Sequence, residues 1–187
     1  MPKPSINLAE EVYLDPSIQF TQPLTERVSN PTHVFLTGVT GFLGAYLLAE
    51  LLNRTEAVVH CLVRADDDIA AFERVKKHLE FYAVWDDRHQ SRIVTLAGDL
   101  GKPNFALSEA QFDQLAEQVD LIYHNGAIVN IVRPYKASKP ANVLGTQEIL
   151  RLASLKQTKP VHYISTMGIF FAQKGVSEVM EADIPPH

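Results

Sequence analysis

Cysteine is nearly absent from these 187 residues. Cys61 stands alone inside an apolar run, so no internal disulfide can form, and a reducing cytoplasm is the default compartment. No apolar run reaches the ~18 residues of a membrane span, and the opening Met1-Pro-Lys-Pro-Ser-Ile-Asn7 has no apolar signal region, so no membrane association is expected. Basic blocks are missing too. Lys and Arg number 17 against 22 Asp and Glu, a formal charge of −5, which argues against nucleic acid as a partner. Internal repeats and low-complexity tracts are absent, and no metal site is expected. What is there is 46% hydrophobic, enough for one sizeable core in a soluble cytoplasmic protein.

The chain is organised around His33-Val-Phe-Leu-Thr-Gly38-Val-Thr-Gly41-Phe-Leu-Gly44. A β-forming run meets three glycines spaced three apart, and residues 45–52 follow as an amphipathic stretch, which reads as strand, tight turn and helix. Unpaired N–H groups and the macrodipole at a helix N-terminus favour an anion, and side chains there would hold a pyrophosphate away. Gly38 suits the sharp turn, Gly41 the close approach of phosphate and Gly44 the tight packing of helix on sheet, with Thr40, Phe42 and Leu43 completing the candidate cradle. The spacing G-x-x-G-x-x-G carries one residue more than the usual G-x-G-x-x-G fingerprint.

Residues 1–31 are punctuated by five prolines, with at most one short helix near residues 8–13, and read either as a lead-in that packs along the domain or links it to something upstream, or as a disordered tail. Beyond the first helix, residues 57–63 read as a buried strand, and Asp67 or Asp68 as the cap of a helix running to Tyr82. Residues 93–97 form a third strand. Ser108 and Gln111 make a capping-box signature for a helix to Glu117. Residues 119–124 and 161–165 are further strands, flanking a helix over residues 142–155. Strands alternating with helices predict an α/β fold with a parallel sheet and right-handed crossovers. The division expected is a lead-in (1–30), a nucleotide-binding domain (31–166) and the start of a substrate-binding region (167–187).

Arg64 lies 20 residues beyond Gly44, just past the second strand, where a carboxylate would accept from a ribose 2′-OH but a guanidinium suits a 2′-phosphate. NADP(H) is therefore expected over NAD(H). Asp66, Asp67 and Asp68 close behind could instead pair with Arg64 or accept from a ribose, and Arg74 is a further candidate for the same phosphate. Asp99 and Leu100 sit where an adenine edge should lie, although Asp99 could equally stabilise a turn. Gly126 and Ala127 again place small residues where backbone passes close to a ligand, with His124 packed beside them. A hydroxyl at the carboxyl end of the fifth strand is well placed to bond a substrate carbonyl, and of Ser165 and Thr166 the second is the candidate catalytic residue. Tyr135 and Lys139 match Tyr-x-x-x-Lys, but Pro140 disfavours helical geometry at Lys139 and the pair precedes the strand carrying Thr166, so it reads as a decoy.

Together, Thr37-Gly-Val-Thr-Gly-Phe-Leu-Gly44, Cys61-Leu-Val-Arg-Ala65, Gly98-Asp-Leu100, His124-Asn-Gly-Ala127, Asn142-Val-Leu-Gly-Thr146 and Tyr163-Ile-Ser-Thr166 resemble the extended short-chain dehydrogenase/reductases. More narrowly, they resemble the thioester reductase domains of nonribosomal peptide synthetases and carboxylic acid reductases. The resemblance covers about residues 8–180 and implies a Rossmann-type, doubly wound parallel sheet with flanking helices. It also implies NADPH-dependent release of an acyl or peptidyl thioester, held on a phosphopantetheinyl carrier, as aldehyde or alcohol. In that family a Thr, a Tyr and a Lys act together; Thr166 matches the first, and Asn142 matches an asparagine near the site. The family's Tyr-x-x-x-Lys follows the fifth strand, whereas only 21 residues follow Thr166 here, with no tyrosine among them. The resemblance thus implies a nucleotide-binding part with most of the substrate subdomain missing. Another extended reductase, such as a sugar-nucleotide epimerase or dehydratase, and a non-catalytic docking module are the alternatives.

Overall fold

In the computed structural model the described residues are 11–130, 132–166, 168 and 180. Five strands, β1 (His33–Thr37), β2 (Val58–Val63), β3 (Ile93–Ala97), β4 (Leu121–His124) and β5 (Val161–Tyr163), form one sheet in the order β3-β2-β1-β4-β5. Every pairing is parallel. The connecting helices are α1 (Phe42–Arg54), α2 (Asp68–Phe81), α3 (Glu109–Gln118), α4 (Tyr135–Lys139) and α5 (Gly145–Ser154).

Alternate residues of the buried central strand serve opposite layers, as a period of two requires. Phe35 packs with Phe112, Leu115, Ile149 and Leu152 beneath α3 and α5. Leu36 packs with Cys61, Leu48, Val75 and Leu79 beneath α1 and α2. Each such side chain, taken out of water, contributes about 2 kcal/mol. The sheet is therefore wound on both faces, as the family resemblance implies. Its order reverses between β1 and β4, and ligands bind in such folds at the carboxyl ends of strands beside that switch.

Local chemistry sets most element ends. Asp67 is the cap of α2, accepting from the Ala70 N–H at 2.7 Å, while the Asp68 carboxylate accepts from the Ala97 N–H at 2.6 Å and ties α2 to β3. Ser108 and Gln111 form the capping box expected of them. Helix α1 begins at Phe42, three residues before the expected start at Ala45, because Gly41 caps it directly. Strand β5 ends at Tyr163 rather than at residue 165.

The largest departure lies at Pro140. Lys139 is helical (φ −48°, ψ −46°), and Pro140–Leu144 continue from α4 into α5 as a π turn. A proline lacks an N–H and crowds the carbonyl four residues back. The wider turn accommodates both, with the Gly145 N–H donating to the Pro140 carbonyl. Tyr135 and Lys139 consequently do share a face. The Tyr135 hydroxyl donates to Glu11 Oε2 at 3.1 Å, and Lys139 Nζ lies 2.6 Å from the same oxygen.

That contact belongs to a packed lead-in. Ile18 and Thr25 are buried, the Thr25 N–H donates to the Thr158 carbonyl, and the Thr158 N–H donates back to the Pro23 carbonyl. Residues 11–13 are not helical, and the rest of the expected short helix, residues 8–10, lies outside the described residues, as does all of 167–187 except 168 and 180. Among the described residues no helix is long and apolar enough to cross a membrane.

Candidate functional site

The turn after β1 opens a cleft of about 500 Å³ between the carboxyl ends of the strands, within the usual range for a small-molecule site. Gly38 has φ +75°, the left-handed region, and a Cβ there would stand 2.8 Å from Gly126. The two loops at the switch point therefore touch backbone to backbone. Gly41 folds back, its N–H donating to the Gly38 carbonyl at 3.0 Å, and the first intrahelical bond runs from the Ala45 N–H to the Gly41 carbonyl. The amides of Phe42, Leu43 and Gly44 precede that bond, so no carbonyl of the helix itself takes them, as at any helix start. Thr40, Gly41, Phe42 and Leu43 line the cleft. Gly44 does not: it is buried, and a Cβ on it would lie 2.0 Å from the Gly38 carbonyl oxygen. Its absent side chain serves the shape of the turn rather than packing on the sheet.

Across the switch point, a hydrogen-bonded line fixes the second loop. The Gly126 N–H donates to Thr37 Oγ1 at 2.9 Å, and that hydroxyl lies 2.8 Å from His124 Nδ1. His124 Nε2 lies 3.1 Å from Thr146 Oγ1, whose own proton goes to the Asn142 carbonyl at 2.9 Å. One direction of donation satisfies all four contacts. Thr146 has given its only hydrogen away, so it accepts from Nε2–H; Nδ1 is then bare and accepts from the Thr37 hydroxyl. His124 is packed, as expected, and burial pushes its pKa down to about 4, which agrees with a neutral ring. Asn142 braces the same loop through both backbone groups of Ile128, at 2.7 and 3.0 Å.

At the far end of the cleft Arg64 and Arg74 both line the wall. Arg74 Nη1 donates to the Arg64 carbonyl at 2.7 Å, so one arginine is seated against the other's backbone. Neither Asp67 nor Asp68 competes for them, since one carboxylate caps α2 and the other holds β3. Asp99 and Leu100 also line the cleft. Asp99 Oδ1 accepts from the Gly101 N–H at 2.9 Å, so the aspartate stabilises its own turn with one oxygen and has a second in reserve. Leu100 is wedged between two glycines, 3.1 Å from a Cβ on Gly126 and, through its carbonyl, 2.6 Å from a Cβ on Gly145.

Gly126 and Ala127 lie on the wall expected of them. Thr166 stands apart from the cleft lining, exposed beyond β5, with its Oγ1 accepting from the Gly168 N–H at 3.1 Å. Tyr135 and Lys139 line no part of the cleft either. Burial first, and then Glu11, hold the Tyr135 phenol above its ordinary pKa, the reverse of what a proton-donating tyrosine needs. Sequence reasoning missed the Thr37–His124–Thr146 line and the wall residues Ile128 and Val129. A signal for the first existed in the four-residue spacing of Asn142 and Thr146, which places both on one helical face.

The profile of an NAD-binding family described as "Male sterility protein" matches residues 36–186. The chain is 49% identical over 180 residues to a linear gramicidin synthase subunit of Brevibacillus parabrevis, covering 95% of this chain and 4% of that protein. It is 41% identical over 152 residues to the L-2-aminoadipate reductase large subunit of Penicillium chrysogenum, covering 80% and 11%. Among solved structures, the terminal R domain from the myxalamid PKS-NRPS pathway superposes with a TM-score of 0.83 at 44% identity, covering 87% of this chain and 42% of that one. A thiolation-reductase di-domain from an archaeal non-ribosomal peptide synthetase gives 0.63 at 26%, covering 81% and 31%. The chain thus spans less than half the length of each.

Proposed function

Because this chain belongs to the male sterility protein family of NAD-binding domains, we propose that it forms the nucleotide-binding part of an NADPH-dependent thioester reductase that releases a carrier-bound acyl or peptidyl chain as aldehyde or alcohol. The observation that carries the reading is the cradle itself: carbonyl and backbone atoms stand where Cβ atoms on Gly38 and Gly44 would be, beside the helix-start amides and two arginines. A dinucleotide phosphate fits that donor set. The amides of Phe42 and Leu43 bind its pyrophosphate, Gly41 leaves room for it, and Arg64 and Arg74 grip the 2′-phosphate. Asp99 and Leu100 take the adenine edge. When bound, the reduced nicotinamide supplies a hydride to the acyl carbon. Thr166, the one candidate catalytic residue, orients the substrate carbonyl through its hydroxyl. A phosphopantetheinyl carrier is the partner, a reading supported by the thiolation-reductase neighbour.

Fluorescence titration with NADPH and NADH tests the cofactor. NADPH should bind about tenfold or more tightly, the worth of one charge-assisted contact, and Arg64→Ala should remove that preference while leaving NADH affinity nearly unchanged. Equal affinities for the two would overturn the phosphate assignment, and binding of neither would overturn the dinucleotide reading.

A further inference from the structure

Three successive non-glycine residues, Asn104, Phe105 and Ala106, have φ of +51°, +57° and +62°. L-residues visit this left-handed region singly, because Cβ crowds the carbonyl there, so a run of three persists only where its surroundings over-determine it. Three contacts do so. The Phe105 ring is fully buried, 5.5 Å from Phe35 and 5.6 Å from Phe112. The Asn104 N–H donates to Glu148 Oε2 at 2.9 Å, and Arg151 Nη2 donates to Asn104 Oδ1. Arg151 is itself paired with Glu148 at 2.6 Å, and its guanidinium lies 4.3 Å from the Phe112 ring centroid.

What this turn delivers is a carbonyl. Phe105 O accepts from the Asp99 N–H at 2.8 Å and stands only 2.4 Å from where a Cβ on Gly98 would be. The backbone of residues 98–100 is thereby pressed into the cleft wall from behind. Helix α5 holds the turn through Glu148 and Arg151, and through Gly145 it also meets Leu100 directly.

We infer that Glu148 and Arg151 are positioning residues for nucleotide binding, setting the adenine-contacting loop 98–100 through the left-handed turn 104–106. The inference rests on the dinucleotide reading above. Neither residue lines the cleft, so any effect on binding must pass through the loop.

Adenosine 2′,5′-bisphosphate and reduced nicotinamide mononucleotide, the two ends of the cofactor, separate the possibilities. Glu148→Ala should weaken the bisphosphate about tenfold and leave the mononucleotide unchanged, as the loss of one well-placed contact would. Glu148→Gln, which keeps an acceptor for the Asn104 N–H, should restore most of that affinity. Hydrogen exchange at the Asp99 amide should accelerate in Glu148→Ala. Arg151→Met, which keeps an apolar stem over Phe112 but no donor, should repeat the selective loss, and it carries the comparison if Glu148→Ala does not fold. Bisphosphate affinity unchanged in both variants would overturn the inference alone. If the unaltered protein binds no bisphosphate, the dinucleotide reading falls, and the inference with it.

Discussion

Two buried histidines make acid stability a residue-scale property. His124 and His60 both have pKa values pushed down from 6.5 to about 4, His124 by burial and His60 by burial and then by His33, whose Nδ1 lies 2.9 Å from His60 Nε2. At pH 7 both rings are neutral whether the chain is folded or not. As pH falls below 6.5 the unfolded chain takes up protons that the folded one refuses, so stability declines until about pH 4 and then levels off. Each ring is worth at most about 3 kcal/mol over that window. Urea midpoints at pH 7 and pH 5 should show the drop, and His124→Gln should make it shallower; an unchanged slope would show that His124 titrates normally. At this scale the sequence was legible wherever a residue type has one physical use. Gly38 had to allow a positive φ. Gly44 was harder, because its need comes from the Gly38 carbonyl oxygen six residues back, a contact that no local pattern displays.

At the scale of elements, the left-handed turn carries a cost that one substitution can relieve. Ala106 has φ +62°. Left-handed backbone costs an L-residue about 1–2 kcal/mol, and glycine avoids this while giving back about 0.5–1 kcal/mol in chain entropy. Ala106→Gly should therefore raise stability by up to about 1 kcal/mol in urea unfolding; a loss of similar size would mean that the alanine methyl packs well enough to outweigh the strain. Capping chemistry made α2 and α3 readable, since Asp67 and Ser108 act within three residues of themselves. Pro140 misled for a physical reason. The rule that a proline disfavours helix at the preceding residue is a local preference, whereas burial of Ala141 and the fit of Gly145 against Leu100 are tertiary and larger.

For the whole molecule, alternation of strand and helix was enough to foresee a parallel sheet with right-handed crossovers, and the doubly wound arrangement came from the family resemblance. Which strands flank the switch point was not legible in that pattern, yet the loops after β1 and β4 meet there and line the cleft together with residues that follow β2 and β3. A ligand seated there bridges elements from both sides of the sheet and should stabilise the fold as a unit. At 100 times its dissociation constant NADPH should add about 2.7 kcal/mol, read as a rise in the urea midpoint with no change in slope. A shift of equal size in Arg64→Ala at the same concentration would count against the arginine contact.

The π turn has a further consequence. It inserts one extra residue between a helical face turned toward the lead-in, at Tyr135 and Lys139, and another turned toward the core, at Ile149 and Leu152. Deleting one of the five residues 140–144 would let the stretch close into ordinary winding, because four residues of α-helix cover about the same rotation as five of the wider turn, so Gly145 and Thr146 would keep their facing toward Leu100 and His124. A deletion at Gln147, in regular winding, has no such slack and would swing Ile149 and Leu152 by about 100° out of the core. A lost codon in the wide turn should therefore be tolerated better than one a few positions further on.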